Sequence, residues 1–210
     1  MKKQNLLLIG ICGGSASGKS SIAKYIQNYF NKEECEIIEL DSYYYDLSHL
    51  SLKEREKNNF DHPKAFDFDF MYNQLKELKK NNSISSPIYN YKKHIRENKF
   101  KNLSPKKIIL IEGILIFYDK KILDLLDMKI FIDTSQELRL QRRIKRDLKG
   151  RERTYDSIIN QMKSTVIPMH NKFIRPTKKY ADFIITKGVK NTVALEQVIS
   201  NIISMINNKN

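Results

Sequence analysis

"GICGGSASGKSS", residues 10–21, is the stretch on which the reading of this chain turns. It matches G-x-x-x-x-G-K-[ST] at Gly13, Gly18, Lys19 and Ser20. The flanks match as well. "LLLIGI" (6–11) is an apolar run of strand type, and "SSIAKYIQNYF" (20–30) sets Ile22, Ile26 and Tyr29/Phe30 on one helical face. Strand, glycine turn and helix together are the context in which this motif holds phosphate. Glycines let backbone N–H groups curl around phosphate oxygens, and the helix N-terminus adds partial positive charge. Gly13, Gly14, Ser15, Ala16, Ser17, Gly18, Lys19, Ser20 and Ser21 are therefore expected to cradle a nucleoside triphosphate. Lys19 would reach its β/γ-phosphates and the Ser20 hydroxyl would bind Mg²⁺. A plain strand-to-helix turn with an incidental lysine does not explain all four motif positions and both flanks.

Outward from this turn the pattern is α/β. "CEIIEL" (35–40), "KIILIEG" (107–113), "MKIFID" (128–133) and "DFIIT" (182–186) join the first run to give about five parallel strands. Helical patterns lie between them at 67–80, 135–150, 154–173 and 192–206, with Pro168 expected to kink or end the third. Alternation of this kind implies a three-layer fold, a parallel sheet with helices on both faces and ligands at the strands' carboxyl ends. Residues 83–104 carry no helical stripe and read as a hairpin or loop insertion. One domain, 1–210, is expected to contain this insertion and an arginine-rich lid over 139–153.

Three of the strands end in acid: Asp41, Glu112 and Asp133. Mg-dependent phosphoryl transfer needs one carboxylate to order the metal and another to accept the proton of the attacking hydroxyl. Glu112 closes a strand of Walker-B form and is the metal candidate beside Ser20. Asp41 opens "DSYYYD", a polar, aromatic loop suited to gripping an organic acceptor. Asp133, before "TSQE", fits a helix cap or strand-end carboxylate and is read as structural.

Composition sets limits. Hydrophobic residues at 40% and charged residues at 30% describe a globular chain, and no apolar run approaches the ~20 residues of a membrane span. A cytoplasmic protein is expected, with no membrane partner. The two cysteines, Cys12 and Cys35, fit a reducing compartment and read as small core residues. A net charge of +14 raises nucleic-acid binding as a rival. No zinc spacing, RNP sequence or basic-aromatic repeat supports it, so no nucleic-acid partner is expected.

"GGSASGKSS", "DSYYYD", "FDHPKAFDFD", "PIYNYKKHIR", "IEGILIFYD", "RLQRRIKRD" and "PTKKYAD" occur in this order and resemble the uridine kinase (uridine–cytidine kinase) family over nearly the whole chain. "FDHPKAFD" and the Tyr-x-Tyr-x-x-His stretch are shared in part with phosphoribulokinase and pantothenate kinase relatives. The resemblance implies a P-loop kinase that transfers the γ-phosphoryl of ATP or GTP to the 5′-hydroxyl of uridine or cytidine in pyrimidine salvage. It also implies Mg²⁺ as cofactor and a homo-oligomer, a tetramer in the family.

By the same resemblance Asp41 is the catalytic base, with Tyr44 of the same loop among the nucleoside contacts. Asp61 corresponds to the ribose binder, the alternative being a turn-forming Asp before His-Pro. Arg143 matches an arginine that also reaches the ribose, and Gln161 is a further nucleoside contact. Tyr89, Tyr91 and His94 fall in the insertion at i, i+2 and i+5. Tyr91 would pack the pyrimidine ring while Tyr89 and His94 bond its edge, a neutral imidazole having one donor and one acceptor. The chain departs from the common family form at Asn90, where Asp is usual, and at Ile95, where a small hydroxyl residue is usual. Arg139, Arg142, Arg143 and Arg146 share a helical face. Arg146, Arg151 and Arg153 are expected near phosphates or the nucleotide base, while for Arg139 and Arg142 a solvated basic face and a place at the site both stay open.

Overall fold

The computed structural model describes residues 6–150 and 153–209, so Arg151 lies outside the described residues. β1 (Leu7–Gly13) leads through the glycine turn into α1 (Lys19–Glu34) and then β2 (Cys35–Glu39). A short α2 (Leu52–Glu56) and α3 (Phe68–Lys79) precede the hairpin strands β3 (Ile84–Asn90) and β4 (Ile95–Leu103). β5 (Ile108–Gly113), α4 (Lys120–Leu125), β6 (Met128–Asp133) and α5 (Gln136–Gly150) follow. α6 (Tyr155–Gln161), α7 (Ile167–Met169), β7 (Phe183–Thr186) and α8 (Thr192–Lys209) complete the described chain.

Among the described residues the main sheet has five strands in the order β2-β5-β1-β6-β7, all pairs parallel. β1 is buried along its whole length, and its side chains alternate between two cores. Leu7, Ile9 and Ile11 pack with Ile22 and Ile26 of α1 and with Leu195, Val198 and Ile202 of α8. Leu8 and Cys12 enter the opposite core with Met71 and Leu75 of α3 and Ile122 of α4. A strand covered on both faces reads as a continuous apolar run, which is why these strands are legible. Each such Leu or Ile contributes about 1.5–3 kcal/mol of burial, so the central strand anchors the phosphate turn firmly.

The expected helices form with local caps. Asp67 accepts from Phe70 N at the start of α3, Asp119 from Ile122 N at α4, and Thr154 from Ser157 N at α6. α1 breaks its helical geometry at Asn31 (φ 63°), whose side chain bonds Glu33 N and Glu34 N, so the periodic pattern ends at Phe30. Pro168 does not end its helix. The chain stays helical because π-type turns at 162–166 and 170–174 flank α7 and relocate the hydrogen bonds that Pro168 would break. Cys12 and Cys35 are buried and unpaired, as core residues.

One of the three acids sits differently from the sequence reading. β2 ends at Glu39, and Asp41 lies just beyond it in a 3₁₀ turn over Leu40–Tyr43. Asp133 is the strand-end carboxylate of β6, its Oδ2 accepting from Lys178 Nζ at 2.6 Å, while the Ser135 hydroxyl accepts from Leu138 N at the start of α5. The 83–104 insertion is an antiparallel hairpin paired from Ile84↔Leu103 to Asn90↔Ile95, irregular between Pro87 and Tyr89.

Candidate active site

Backbone turns shape the phosphate loop first. Gly18 adopts φ 105° immediately before α1, a left-handed conformation that glycine enters without strain. Ser17 N bonds Gly14 O at 3.0 Å, closing the loop, and Lys19 Nζ lies 3.3 Å from the same carbonyl. Ser20 Oγ donates to Glu112 Oε1 at 2.5 Å. The hydroxyl and the strand-end carboxylate expected to share a metal are thus in contact. Magnesium is commonly held by one or two carboxylates plus substrate phosphates and waters, and this sparse donor set fits it. No cluster of three or more His, Cys, Asp or Glu suited to a metal occurs among the described residues.

Beside the loop opens a cleft of about 980 Å³. Ser15 of the phosphate loop, Asp41, Tyr44, Asp61, Tyr89, Tyr91, His94, Arg143, Arg146, Arg153 and Gln161 all line it. Residues from the 3₁₀ turn, the hairpin and α5 therefore converge on one volume. Asp41 is close enough to the Tyr44 and Tyr89 phenols that its charge, after burial, raises both. Asp61 is 6% exposed, and burial raises its carboxyl above the ordinary range against the pull of Arg143, Lys19 and Arg146. Asp61 lies in the turn that His62 N closes onto Asn59 O, and the side chains bonding backbone N–H groups around it are Asn59 Oδ1, which takes Asp61 N, and His62 Nδ1, which accepts from Lys64 N.

The hairpin side is aromatic. Tyr89 OH is buried without a hydrogen-bond partner among the described residues, a polar atom left over in the cleft wall. Tyr91 meets Tyr89 edge-on, with centroids 5.5 Å apart, and its hydroxyl lies 3.4 Å from Glu39 Oε2. His94 occupies the hairpin turn at φ 50° and stacks on Phe60 at 4.8 Å and 17°. Tyr44 is more structural than expected: its ring stacks on Phe66 at 4.3 Å and its hydroxyl donates to Phe60 O at 3.1 Å.

α5 supplies the cations. Arg143 donates to Ser15 Oγ at 2.9 Å and to Gln161 Oε1 at 2.7 Å, joining the phosphate loop to α6. Arg153 shares the Gln161 oxygen and also bonds Ser157 Oγ at 2.7 Å. Of the two alternatives for Arg139 and Arg142, the solvated face does not hold. Arg139 is 3% exposed, and Arg142 Nη1 donates to Ser17 O of the phosphate loop at 2.9 Å. Their helix face is turned inward because it packs on a polar loop that accepts hydrogen bonds, not on an apolar core.

Several participants escaped the sequence reading. Asp147 is fully buried and gathers Arg143 (3.4 Å), Arg146 (2.7 Å) and Arg153 (4.0 Å), its only signal being the i,i+4 spacing from Arg143. Glu39 pairs in register with Glu112, and burial together with that neighbouring charge raises its carboxyl. Phe60 precedes Asp61 and forms the floor under His94.

A phosphate loop after the central strand, a carboxylate on the adjacent strand and a cation-rich helix over the cleft define a P-loop kinase. The model of the Phosphoribulokinase / Uridine kinase family matches residues 8–194. The chain belongs to that family. It is 47% identical over 207 residues to a uridine kinase of Lactococcus lactis subsp. cremoris, covering 99% of this chain and 100% of that one. To a uridine kinase of Clostridium tetani it is 48% identical over 200 residues, covering 95% and 96%. In fold it is similar to the crystal structure of a putative fructose transport system kinase from Silicibacter sp. TM1040. That likeness has TM-score 0.71 at 17% identity, covering 88% of this chain and 91% of that one.

Proposed function

We propose that this phosphotransferase is a uridine kinase, moving the γ-phosphoryl of ATP or GTP to the 5′-hydroxyl of uridine or cytidine. The observation that carries this is the single cleft in which Asp41, Asp61, Tyr89 and His94 face Ser15 of the phosphate loop. The near-full-length similarity to relatives named uridine kinase supports the same acceptor.

In this reading the hairpin and Phe60 hold the pyrimidine, Tyr89 OH and His94 meeting its polar edge. Asp61 and Arg143 take the ribose hydroxyls. That leaves the 5′-hydroxyl toward Asp41, which accepts its proton as the phosphoryl group arrives. Lys19 and the loop N–H groups hold the β- and γ-phosphates, and Ser20 with Glu112 would hold Mg²⁺. Bound there, the cation neutralises charge on the transferring group. Arg146 and Arg153 belong to a lid over 139–153 that brings cations to the phosphates and keeps water out. Asp147 keeps these arginines from drifting apart, while Gln161 ties Arg143 to Arg153. The product is a pyrimidine nucleoside monophosphate, as a salvage reaction requires.

A coupled assay with both donors and a panel of uridine, cytidine, pantothenate, sugar phosphates and single-stranded nucleic acid tests this reading. Turnover is expected with the two ribonucleosides and no stimulation by nucleic acid. Turnover confined to another alcohol would move the acceptor assignment elsewhere in the family, and nucleic-acid-stimulated hydrolysis would replace it.

A further inference from the structure

Of the arginines that α5 turns inward, Arg139 is the most buried, 3% exposed. Its Nε and Nη1 have no hydrogen-bond partner among the described residues. A Cβ on Gly14 would lie 2.5 Å from Arg139 Nη1 and 3.0 Å from His170 Nδ1. Guanidinium and imidazole thus press against the second glycine of the phosphate loop, on the side where a side chain would project. His170 reaches this place from the π-type turn at 170–174, and its Nδ1 is likewise unmatched. Burial first, then the neighbouring Arg139 and Arg175, hold the imidazole neutral, with its pKa down to about 4.

The cation in this cluster is therefore Arg139. Asp133, Asp61 and Glu137 act on it through space only, and Asp133 is already bonded to Lys178. A buried charge with no bonded counter-ion is costly, and an arginine cannot shed its proton to escape the cost. The loop it presses on is built for a polyanion.

We propose that Arg139 is a positioning residue of the phosphate loop, its unpaired charge completed by the triphosphate when this binds. The inference rests on the donor reading above. Glycine at position 14 is what lets the cation approach so closely. The ligand-free protein carries an electrostatic cost that nucleotide binding removes, so the interaction energy appears as affinity and not as stability of the empty fold.

Arg139→Met keeps length without charge, and Arg139→Lys keeps charge without the planar fork. Melting temperature is measured with and without a non-hydrolysable ATP analogue plus Mg²⁺, and the analogue's Kd by calorimetry. Arg139→Met is expected to melt no lower than wild type when empty and to gain less on adding the analogue. Its affinity is expected to fall about tenfold or more, with Arg139→Lys keeping most of it. An Arg139→Met affinity within about twofold of wild type overturns the proposal, as does a Lys variant as weak as the Met one. An Arg139→Met that melts lower when empty marks a plain structural ion and overturns it too. Should that variant not fold, Arg139→Gln is read by the same criteria. Wild-type protein that fails to bind the analogue overturns the donor reading, and the proposal with it.

Discussion

Asp61 and His94 each carry a local cost to the fold, a buried carboxyl in one case and a left-handed backbone in the other, and the proposed function gives both a role in recognition. Folded Asp61 holds its proton to higher pH than an unfolded carboxyl does, because burial outweighs the nearby arginines. Stability therefore drains away as pH rises from the ordinary carboxylate value through the raised one. Asp61→Asn is expected to raise the ligand-free melting temperature at pH 7, and the gain should shrink toward pH ~4, where the unfolded carboxyl takes up its proton. The same variant should lose the preference for uridine over 2′-deoxyuridine, since a buried carboxylate matched to two hydroxyls tolerates a missing one badly. A melting gain that is flat from pH 4 to 8 would contradict the burial argument, and equal wild-type kcat/KM for the two nucleosides would contradict the ribose role. His94 holds a left-handed backbone at φ 50° while stacked on Phe60. His94→Ala is expected to lower nucleoside kcat/KM about tenfold or more with the KM for ATP little changed, because a truncated buried hydrogen bond costs ~1–3 kcal/mol. Unchanged pyrimidine kinetics would make residues 91–94 a structural turn only.

At the scale of elements, the acceptor side is stitched together by arginines that no motif announces. Arg55 donates to Leu47 O, Leu50 O and Ser48 O and, across to the hairpin turn, to Lys93 O at 2.9 Å. Arg96 of β4 reaches Tyr44 O at 2.8 Å. The hairpin is in this way fixed to the loop that carries Asp41 and Phe60. Beneath Asp41, β5 and the 3₁₀ turn touch: a Cβ on Gly113 would lie 2.3 Å from Leu40 Cβ. Gly113→Ala should displace the turn, costing ~1–3 kcal/mol of stability, and lower kcat by moving Asp41, with nucleotide affinity kept. Denaturant melts beside single-turnover kinetics check this, and a variant of wild-type stability and rate would show that Leu40 is free to yield. The strands were legible in sequence because both their faces are buried. Of the two outcomes expected at Pro168, a kink or an end, the end does not occur because π-type turns on either side keep the chain helical, and nothing in a single-residue propensity signals such turns.

For the whole molecule, the parallel sheet with helices on both faces was readable from apolar runs alternating with helical patterns, and the phosphate loop from its spacing, while 83–104 was legible only as a hairpin or loop that breaks this rhythm. The buried charge on α5 was not. Helical periodicity assigns a charged stripe to solvent, and only the packing of that stripe on a polar loop turns Arg139, Arg143 and Asp147 inward. The net charge of +14 likewise says little by itself, since Lys101 and Lys106 answer Glu36 while Arg142 and Arg143 bond the phosphate loop. What the molecule assembles is one cleft lined by Ser15 of the phosphate loop, Asp41, Asp61 and the hairpin residues Tyr89 and His94, which the proposed function reads as a triphosphate loop joined to a nucleoside pocket. The most direct test follows uridine 5′-monophosphate formation from uridine and MgATP by wild type and Asp41→Asn, with ATP affinity measured on both. Wild type is expected to turn over, and Asp41→Asn to bind ATP normally while losing about 10²-fold or more in kcat. A folded Asp41→Asn with wild-type kcat, or wild-type protein that forms no uridine 5′-monophosphate, would contradict this account.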